Sequence, residues 1–199
     1  MSFNVSTFRD KIAYDGARPN LFQVTMAAQS GNFGSTSISF FCRAAAIPGT
    51  TLGVVNVPYF GREIKLAGNR TFADWTITVI NDEDFAYRSF FEGWMEKINT
   101  HVGNRRADNM TGVNQYVNTS GVKVEQLSKN GATALRTYTL HNAFPTDISD
   151  ITLDWGDNDS IEEFTVTFAY DYWSAAAGAK PTGVTTASGV PTATSTITS

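Results

Sequence analysis

The clearest pattern in the sequence is a change of hydrophobic period between residues 70 and 98. Positions 73, 75, 77 and 79 are apolar and positions 74, 76 and 78 are polar, which is typical of a strand with one buried face. After residue 86 the period becomes helical. The apolar stripe there consists of Tyr87, Phe91, Trp94, Met95 and Ile98. We therefore predict a strand followed by a helix over residues 82–98, with Asn81 and Asp82 capping its first turn.

Alternation elsewhere predicts three antiparallel hairpins. They join residues 22–28 with 37–43, residues 122–127 with 134–141, and residues 151–155 with 161–173. The middle hairpin has the strongest turn signal, Lys129-Asn130-Gly131. Residues 62–66 give one further short strand, and Phe144-Pro145 is expected to break the chain. These elements favour a mainly β domain with one helix.

Residues 44–61 are apolar but follow neither a strand period nor a helix period. They include two prolines and three glycines, so we interpret them as a long loop. Two explanations fit such a loop. Either it folds over the core of its own domain, or another subunit buries its apolar side chains, because soluble monomers rarely expose a large contiguous apolar surface.

Composition narrows the class of protein. The 199 residues are 42% hydrophobic and 13% aromatic, which is ample for one core, and the length favours one domain. A net charge of -4 disfavours a domain that grips nucleic acid phosphates. The single cysteine, Cys42, excludes an internal disulfide. No apolar run approaches the roughly 18 residues that a membrane span needs.

The two ends of the chain differ from its middle. Residues 1–16 are weakly patterned and are interpreted as an N-terminal arm without the apolar segment of a secretory signal. Residues 175–199 contain one charged residue, Lys180, and no aromatic residue, so they form a low-complexity extension that cannot build a core. The folded domain is therefore expected to span residues 17–174.

Candidate catalytic and metal-binding residues are few. Neither His101 nor His141 lies in a local motif with a nucleophile, so we expect both to have structural roles. Cys42 lies on the apolar side of an alternating segment, which indicates a buried and unreactive thiol. The acidic cluster within residues 154–163 lacks the glycine and the final glutamate of a calcium loop. We expect no enzymatic activity, no metal and no cofactor.

Four segments resemble, in the same order, one known family. They are A-R-P-N-L-F-Q-V at residues 17–24, C-R-A-A-A-I-P-G at residues 42–49, G-N-R-T-F-A-D-W-T-I-T-V-I-N-D at residues 68–82, and I-T-L-D-W with F-T-V-T-F-A-Y-D-Y-W within residues 151–173. The sequence thus resembles the tail tube (inner tube) proteins of contractile-tailed bacteriophages of the T-even type. The resemblance leaves out residues 175–199.

The resemblance implies a structural virion protein of the phage tail, assembled in the host cytoplasm as stacked hexameric rings. Together with the strand pattern it predicts a mainly β fold, with two packed antiparallel sheets or a rolled barrel and one flanking α-helix. Strands of neighbouring subunits would join edge to edge into a ring-wide β-barrel, which removes exposed strand edges. The sequence does not distinguish a phage tail from another contractile injection device.

In tail tubes, the segment corresponding to residues 44–61 stacks one ring on the next. The resemblance therefore favours burial of this segment by another subunit. The predicted inter-ring residues are Ile47, Pro48, Leu52, Val54, Val55, Val57, Pro58 and Tyr59.

Polar strand faces are predicted to line the channel of the tube. The predicted lumen-facing residues are Ser39, Glu63, Lys65, Lys123, Glu125, Thr137 and Thr139. Their charges are balanced, which suits a channel for a genome, because every phosphate that a lysine or arginine neutralises adds affinity. DNA is expected to pass without specific binding.

The resemblance also implies the partners. They are further copies of the chain, the tail sheath protein, and the tape measure, baseplate and terminator proteins, with no direct insertion into a membrane. An alternative in another class is a monomeric β-sandwich that binds a ligand or glycan, for which Tyr170, Tyr172 and Trp173 could form an aromatic strip.

Overall fold

The structure is a computed structural model that describes residues 16–26, 41–107, 112–156 and 158–178. Within these residues the chain forms two four-stranded antiparallel sheets, a separate two-stranded hairpin and two helices. The strands are β1 (Phe22–Met26), β2 (Cys42–Ala45), β3 (Thr51–Tyr59), β4 (Arg62–Thr71), β5 (Trp75–Ile80), β6 (Val122–Leu127), β7 (Ala134–His141), β8 (Phe144–Ile148), β9 (Glu163–Ala169) and β10 (Tyr172–Ala177). The helices are α1 (Ala86–Ile98) and α2 (Val113–Tyr116). The mainly β fold expected from the sequence is confirmed.

The first sheet has the strand order β1-β6-β7-β10, with every pair antiparallel. Side chains alternate between its two faces, and one face directs Val24, Val124 and Leu140 into the core. The other face carries mostly polar side chains. The first sheet therefore has one apolar face, which packs in the core, and one polar face.

The β6–β7 hairpin agrees with its sequence prediction. β6 and β7 pair across the predicted turn, with Lys123 opposite Thr139. In the turn, Asn130 Oδ1 accepts a hydrogen bond from the backbone N–H of Ala132 at 3.1 Å, and Gly131 has a left-handed φ of 69°. Both turn residues therefore have the roles that their types predict.

The second sheet has the strand order β2-β5-β9-β8 and supplies most of the aromatic core. In its central pair, Trp75 lies opposite Phe168, Ile77 opposite Val166, and Val79 opposite Phe164. All six side chains are buried on one face, as the alternation of β5 predicts. They form a continuous core with the first sheet and with α1.

The chain changes sheet between β9 and β10. The prediction of one strand over residues 161–173 is wrong, because β9 belongs to the second sheet and β10 to the first. Inward positions are even-numbered in β9 and odd-numbered in β10, so the alternation shifts by one residue near Asp171. Tyr172 is therefore exposed on the polar face of the first sheet.

Helix α1 buries the predicted apolar stripe. Phe91 and Trp94 are buried, while Tyr87 and Ile98 pack at the margin of the core. Trp94 Nε1 donates a hydrogen bond to the carbonyl oxygen of Tyr116 at 2.8 Å, which ties α1 to α2. Neither described helix is long and apolar enough to cross a membrane.

Helix α1 begins four residues later than predicted, at Ala86 rather than residue 82. Asn81 does not cap it, because this residue is buried and its Nδ2 donates to Glu162 Oε2 at 2.9 Å. Phe85 occupies the N-cap position with a left-handed φ of 52° and makes no side-chain cap. The predicted capping by Asn81 and Asp82 is therefore wrong.

Three further sequence predictions differ from the structure. Among the described residues β1 pairs with β6 and β2 with β5, so these ends of the predicted first hairpin do not pair with each other. The rest of that hairpin, including Ser39, lies outside the described residues. Phe144-Pro145 opens β8 instead of breaking the chain, because an edge strand with a nearby register shift tolerates proline. Residues 151–155 do not form a strand.

Replacing Phe91 with alanine should destabilise the fold by about 3–5 kcal/mol, because the fully buried ring leaves a cavity between α1 and the second sheet. Its ring centroid lies 5.9 Å from that of Phe168 and 6.3 Å from that of Phe164. Glu96→Ala, at an exposed position of the same helix, should change stability by less than about 0.5 kcal/mol. Denaturant unfolding measures both changes, and equal stabilities for the two variants would contradict this packing.

Candidate functional site

The β3–β4 hairpin, here called the ribbon, pairs with neither of the two larger sheets. All nine residues of β3 are exposed, as is every residue of β4 except Gly68. The prediction of a loop over residues 44–61 is therefore wrong for Thr51–Tyr59, which is a strand. Both faces of β3 carry apolar side chains, which conceals the two-residue period in the sequence.

One face of the ribbon is apolar along most of its length. In the register, Val55 lies opposite Leu66, Val57 opposite Ile64, and Tyr59 opposite Arg62. Residues that face each other across a strand pair project to the same side, so these apolar side chains form one continuous row. An isolated two-stranded ribbon is marginally stable in water, which indicates that a partner surface covers this row.

The tip of the ribbon presents an aromatic pair. Phe60 and Gly61 connect the strands with φ of 44° and 79°, and positive φ at both positions is the mark of a type I′ turn. Phe60 is 91% exposed, and its ring meets that of Tyr59 edge to face at 4.6 Å. The sequence interpretation missed Phe60, although a large apolar residue before a turn glycine is a detectable signal.

The segment that precedes the ribbon is tied to its own domain. Trp75 Nε1 donates a hydrogen bond to the carbonyl oxygen of Ala46 at 2.6 Å, and Trp173 Nε1 donates to that of Gly49 at 3.2 Å. Between these anchors Ile47 is exposed and Pro48 is buried. Pro48 therefore has little surface to offer a neighbouring subunit, unlike the other residues predicted at the inter-ring contact.

Four of the predicted lumen-facing residues share the polar face of the first sheet. Lys123 lies opposite Thr139, and Glu125 lies opposite Thr137. These two pairs begin two cross-strand rows. Thr25 of β1 and Ser174 of β10 extend the row of Lys123 and Thr139, and Gln23 of β1 extends the row of Glu125 and Thr137. Thr137 Oγ1 donates a hydrogen bond to Glu125 Oε1 at 3.3 Å. With one lysine and one glutamate, the two rows have no net formal charge.

The other predicted lumen-facing residues lie elsewhere. Glu63 and Lys65 are on β4 of the ribbon, opposite Pro58 and Asn56, and not on the first sheet. Ser39 lies outside the described residues. The structure therefore brings together the four residues of β6 and β7 and separates Glu63 and Lys65 from them.

The first sheet ends in two strands with one described neighbour each. Within the described part of the chain β1 pairs only with β6, and β10 pairs only with β7. Gly178 N donates to the carbonyl oxygen of Leu135 at 3.0 Å, which fixes the phase of the β7–β10 ladder. Backbone N–H and C=O groups alternate in direction along a strand, so Ser174, four residues before Gly178, also directs its N–H and C=O to β7. The N–H and C=O of Ala175 point away from β7.

The three aromatic residues of the ligand-binding alternative do not form one strip. The Tyr170 ring lies 6.0 Å from that of Phe72, and Trp173 packs on Tyr138 at 5.6 Å. Tyr172 instead stacks on His141 at 4.5 Å, on the polar face of the first sheet. Because the three side chains have separate surroundings, the structure gives no support to a shared glycan-stacking surface.

Candidate chemical groups have ordinary structural surroundings. His141 Nε2 lies 2.8 Å from Ser174 Oγ, and His101 lies in an exposed turn. Asp154 Oδ1 accepts the backbone N–H of Gly156 at 2.9 Å, as aspartate does in turns. Among the described residues, no group of three or more histidine, cysteine, aspartate or glutamate side chains is placed to hold a metal ion.

These surfaces define a mainly β protein whose described residues leave an apolar ribbon and two sheet edges uncovered. A sequence model of the phage tail tube protein family matches residues 11–176. Tail tube protein gp19 of Enterobacteria phage T4 is 36% identical over 159 residues, which cover 80% of this chain and 91% of that protein. The corresponding protein of Enterobacteria phage T6 has the same identity and coverage. The chain therefore belongs to the phage tail tube protein family, whose place is the tail of the virion.

Solved structures share the fold at lower sequence identity. A chain of the tube-terminating cap of the anti-feeding prophage has a TM-score of 0.60 and 15% identity, covering 83% of this chain and 93% of that chain. A chain of the sheath–tube complex of the extracellular contractile injection system PVC has the same TM-score and identity, covering 88% of this chain and 99% of that chain.

Cys42 should react slowly with thiol reagents at pH 8 while the protein is folded. Burial raises the pKa of its thiol to about 12, partly offset by its hydrogen bond to the carbonyl oxygen of Ala44. Since the raised pKa disfavours the thiolate in the folded state, stability should fall as the pH rises above the ordinary value of 9.0. Cys42 is half-buried rather than fully buried as the sequence predicted. Labelling kinetics in buffer and in denaturant test this, and equal rates would contradict a thiol that the fold shields.

Proposed function

We propose that the chain forms the inner tube of a contractile phage tail, as hexameric rings stacked around a channel for DNA. The observation that carries the proposal is the first sheet, which combines a polar face with edges at β1 and β10 that no other described strand covers. Open edges template strand pairing, and pairing β10 of one subunit with β1 of the next continues the sheet around a ring. A ring is closed when this heterologous contact returns to the first subunit.

The size of such a barrel implies a hollow centre. Six sheets of four strands each close a barrel of about 24 strands. Barrels of about 16–18 strands already leave an aqueous channel, because side chains no longer fill the interior. The core lies on the other face of the first sheet, so the polar face of this sheet is the one that turns to the channel.

The lining that results is suited to a passing polyanion. The rows that contain Lys123, Glu125, Thr137 and Thr139 carry equal numbers of positive and negative formal charges. Double-stranded DNA gains affinity from each phosphate that a cationic side chain neutralises. A lining without net positive charge therefore lets DNA move without being held. Glu63 and Lys65 lie on the ribbon and not on this sheet, so their place in the channel stays a separate prediction.

The ribbon is proposed to hold successive rings together. Its apolar row is exposed, and no other element of the described chain covers it. Burial of about 25 cal/mol per Å² of apolar surface, repeated for every subunit of a ring, gives a strong axial contact. The proposed inter-ring residues are Ile47, Leu52, Val54, Val55, Val57, Pro58 and Tyr59, with Ile64 and Leu66 of β4 added and Pro48 left out.

The outside of the tube is proposed to carry α1. This helix packs on the core side of the sheets, away from the polar face, so it cannot line the channel. A sheath protein would meet α1 and the second sheet, by analogy with the sheath–tube complex of similar fold. Terminator and baseplate proteins would meet the two ends of the tube, and a tape measure protein would occupy the channel before DNA.

Ala175→Pro should block ring formation and leave the subunit folded. Proline removes an N–H that points away from β7, which an edge strand tolerates but a neighbouring strand requires. Ser174→Pro is the control, because its N–H points to β7 and its loss should lower the melting temperature. Sedimentation velocity and thermal unfolding separate these effects, and Ala175→Pro rings of normal size would contradict edge pairing at β10.

Thr139→Lys should convert the channel into one that retains DNA. The added cation in every subunit raises affinity for phosphate, and retention should fall steeply between about 50 and about 200 mM salt. Thr139→Gln adds length without charge and should retain no more DNA than the wild type. Cosedimentation of assembled tubes with short duplex DNA measures retention. Equal retention by the lysine and glutamine variants would contradict a channel-facing Thr139.

A further inference from the structure

A second exposed apolar surface is formed by residues that lie far from the ribbon in the sequence. Residues 150–155 and 160–163 line an open groove, here called the groove. Within it Trp155 is 101% exposed, Leu153 is 77% exposed and Ile161 is 70% exposed. Single exposed apolar residues are common on protein surfaces, but contiguous ones mark contact sites. Three large exposed apolar side chains along one groove therefore indicate a contact surface.

One side of the groove is attached to the domain. Glu163 forms an ion pair with Arg43, and Glu162 Oε2 accepts a hydrogen bond from Asn81 Nδ2 at 2.9 Å. Arg88 donates to the carbonyl oxygen of Ser149 at 3.1 Å, just before the groove begins. These contacts hold the groove at residues 149 and 162–163, so this side loses little conformational freedom when a partner binds.

The rim of the groove is acidic. Asp150 is exposed, and its carboxylate has no hydrogen-bond or ion-pair partner in the described part of the chain. Asp154 is also exposed and uses one oxygen for the N–H of Gly156. A partner that supplies aromatic side chains together with a cation would match both the apolar side chains of the groove and its acidic rim.

The tip of the ribbon has that chemistry. Tyr59 and Phe60 are adjacent exposed aromatic side chains, and Arg62 lies opposite Tyr59 in the register. Arg62 makes no ion pair among the described residues, so its guanidinium is available to a carboxylate. An arginine beside paired aromatic residues is a typical composition for the centre of a protein interface.

The conformation of Phe60 supports a binding role for the tip. A left-handed φ of 44° disfavours a bulky side chain, and a type I′ turn is formed most readily by Asn-Gly. Phenylalanine is therefore a poor choice for the turn itself. A residue that opposes local preference yet projects 91% of its surface into solvent is explained by a partner that receives the ring.

We propose that the tip of one copy, Tyr59, Phe60 and Arg62, docks into the groove of a second copy at Leu153, Trp155 and Asp150. The proposal rests on the stacking of rings and names the surface that receives the ribbon. Because each copy carries one tip and one groove, the contact is heterologous and repeats without limit along an axis. Opposite charges on tip and groove also fix the polarity of the stack.

Complementation between two variants tests the contact. The tip variant is Phe60→Asn, which creates an Asn-Gly turn and should keep or raise the melting temperature. The groove variant combines Leu153→Ser with Trp155→Ser at exposed positions, so the fold should be retained. Val102→Ser removes an equally exposed apolar side chain in another turn and is the matched control, which should stack as the wild type does.

Each variant alone should fail to stack, and sedimentation velocity should show single unstacked particles. An equal mixture should give particles of twice that mass, since the intact tip of the groove variant fits the intact groove of the tip variant. Growth should stop there, because the remaining tip and groove are both defective. Negative-stain microscopy should show pairs and no longer tubes.

Other outcomes would overturn the docking. If the groove variant forms long tubes while the tip variant does not, the ribbon stacks rings but docks on a different surface. If the tip variant also forms long tubes, docking through Phe60 is wrong, although the apolar row of the ribbon can still hold rings together. A mixture that stays at the mass of its components would show that tip and groove are not partners.

Discussion

The main constraint on this fold is that its described residues leave strand edges and a large part of their apolar surface uncovered. The ribbon of Thr51–Tyr59 and Arg62–Thr71 has almost every residue exposed, and two strands alone are marginally stable in water. Among the described residues, β1 and β10 also have one open edge each, which soluble monomers usually cover or interrupt. We propose that association with other copies covers these groups and makes each subunit part of a larger sheet.

The core could be predicted from the sequence because its periods are strong. The alternation around Trp75 and the helical stripe around Phe91 both gave the buried faces that the structure has. Boundaries were less predictable, since the tertiary contact of Asn81 with Glu162 removes the expected cap and α1 starts at Ala86. The ribbon was missed because apolar residues on both faces of β3 conceal its period.

The assembly surfaces were predictable to different degrees. Cross-strand pairing puts Lys123, Glu125, Thr137 and Thr139 on one face, as the alternation of β6 and β7 implies. Glu63 and Lys65 have the same alternation but belong to a different sheet, which a local pattern cannot reveal. The change of sheet at Asp171 likewise depends on pairing between distant strands, and so does the exposure of Tyr172.

We propose that the assembled protein is a passive conduit built from shared sheets, with balanced charges facing the channel and apolar contacts along the axis. A cryo-electron microscopy reconstruction of the assembled protein tests this most directly. The account predicts that β10 of each subunit is hydrogen bonded to β1 of the next, with Lys123 and Glu125 facing a hollow axis. A reconstruction in which these two side chains face outward, or in which adjacent subunits share no strand pairing, would contradict it.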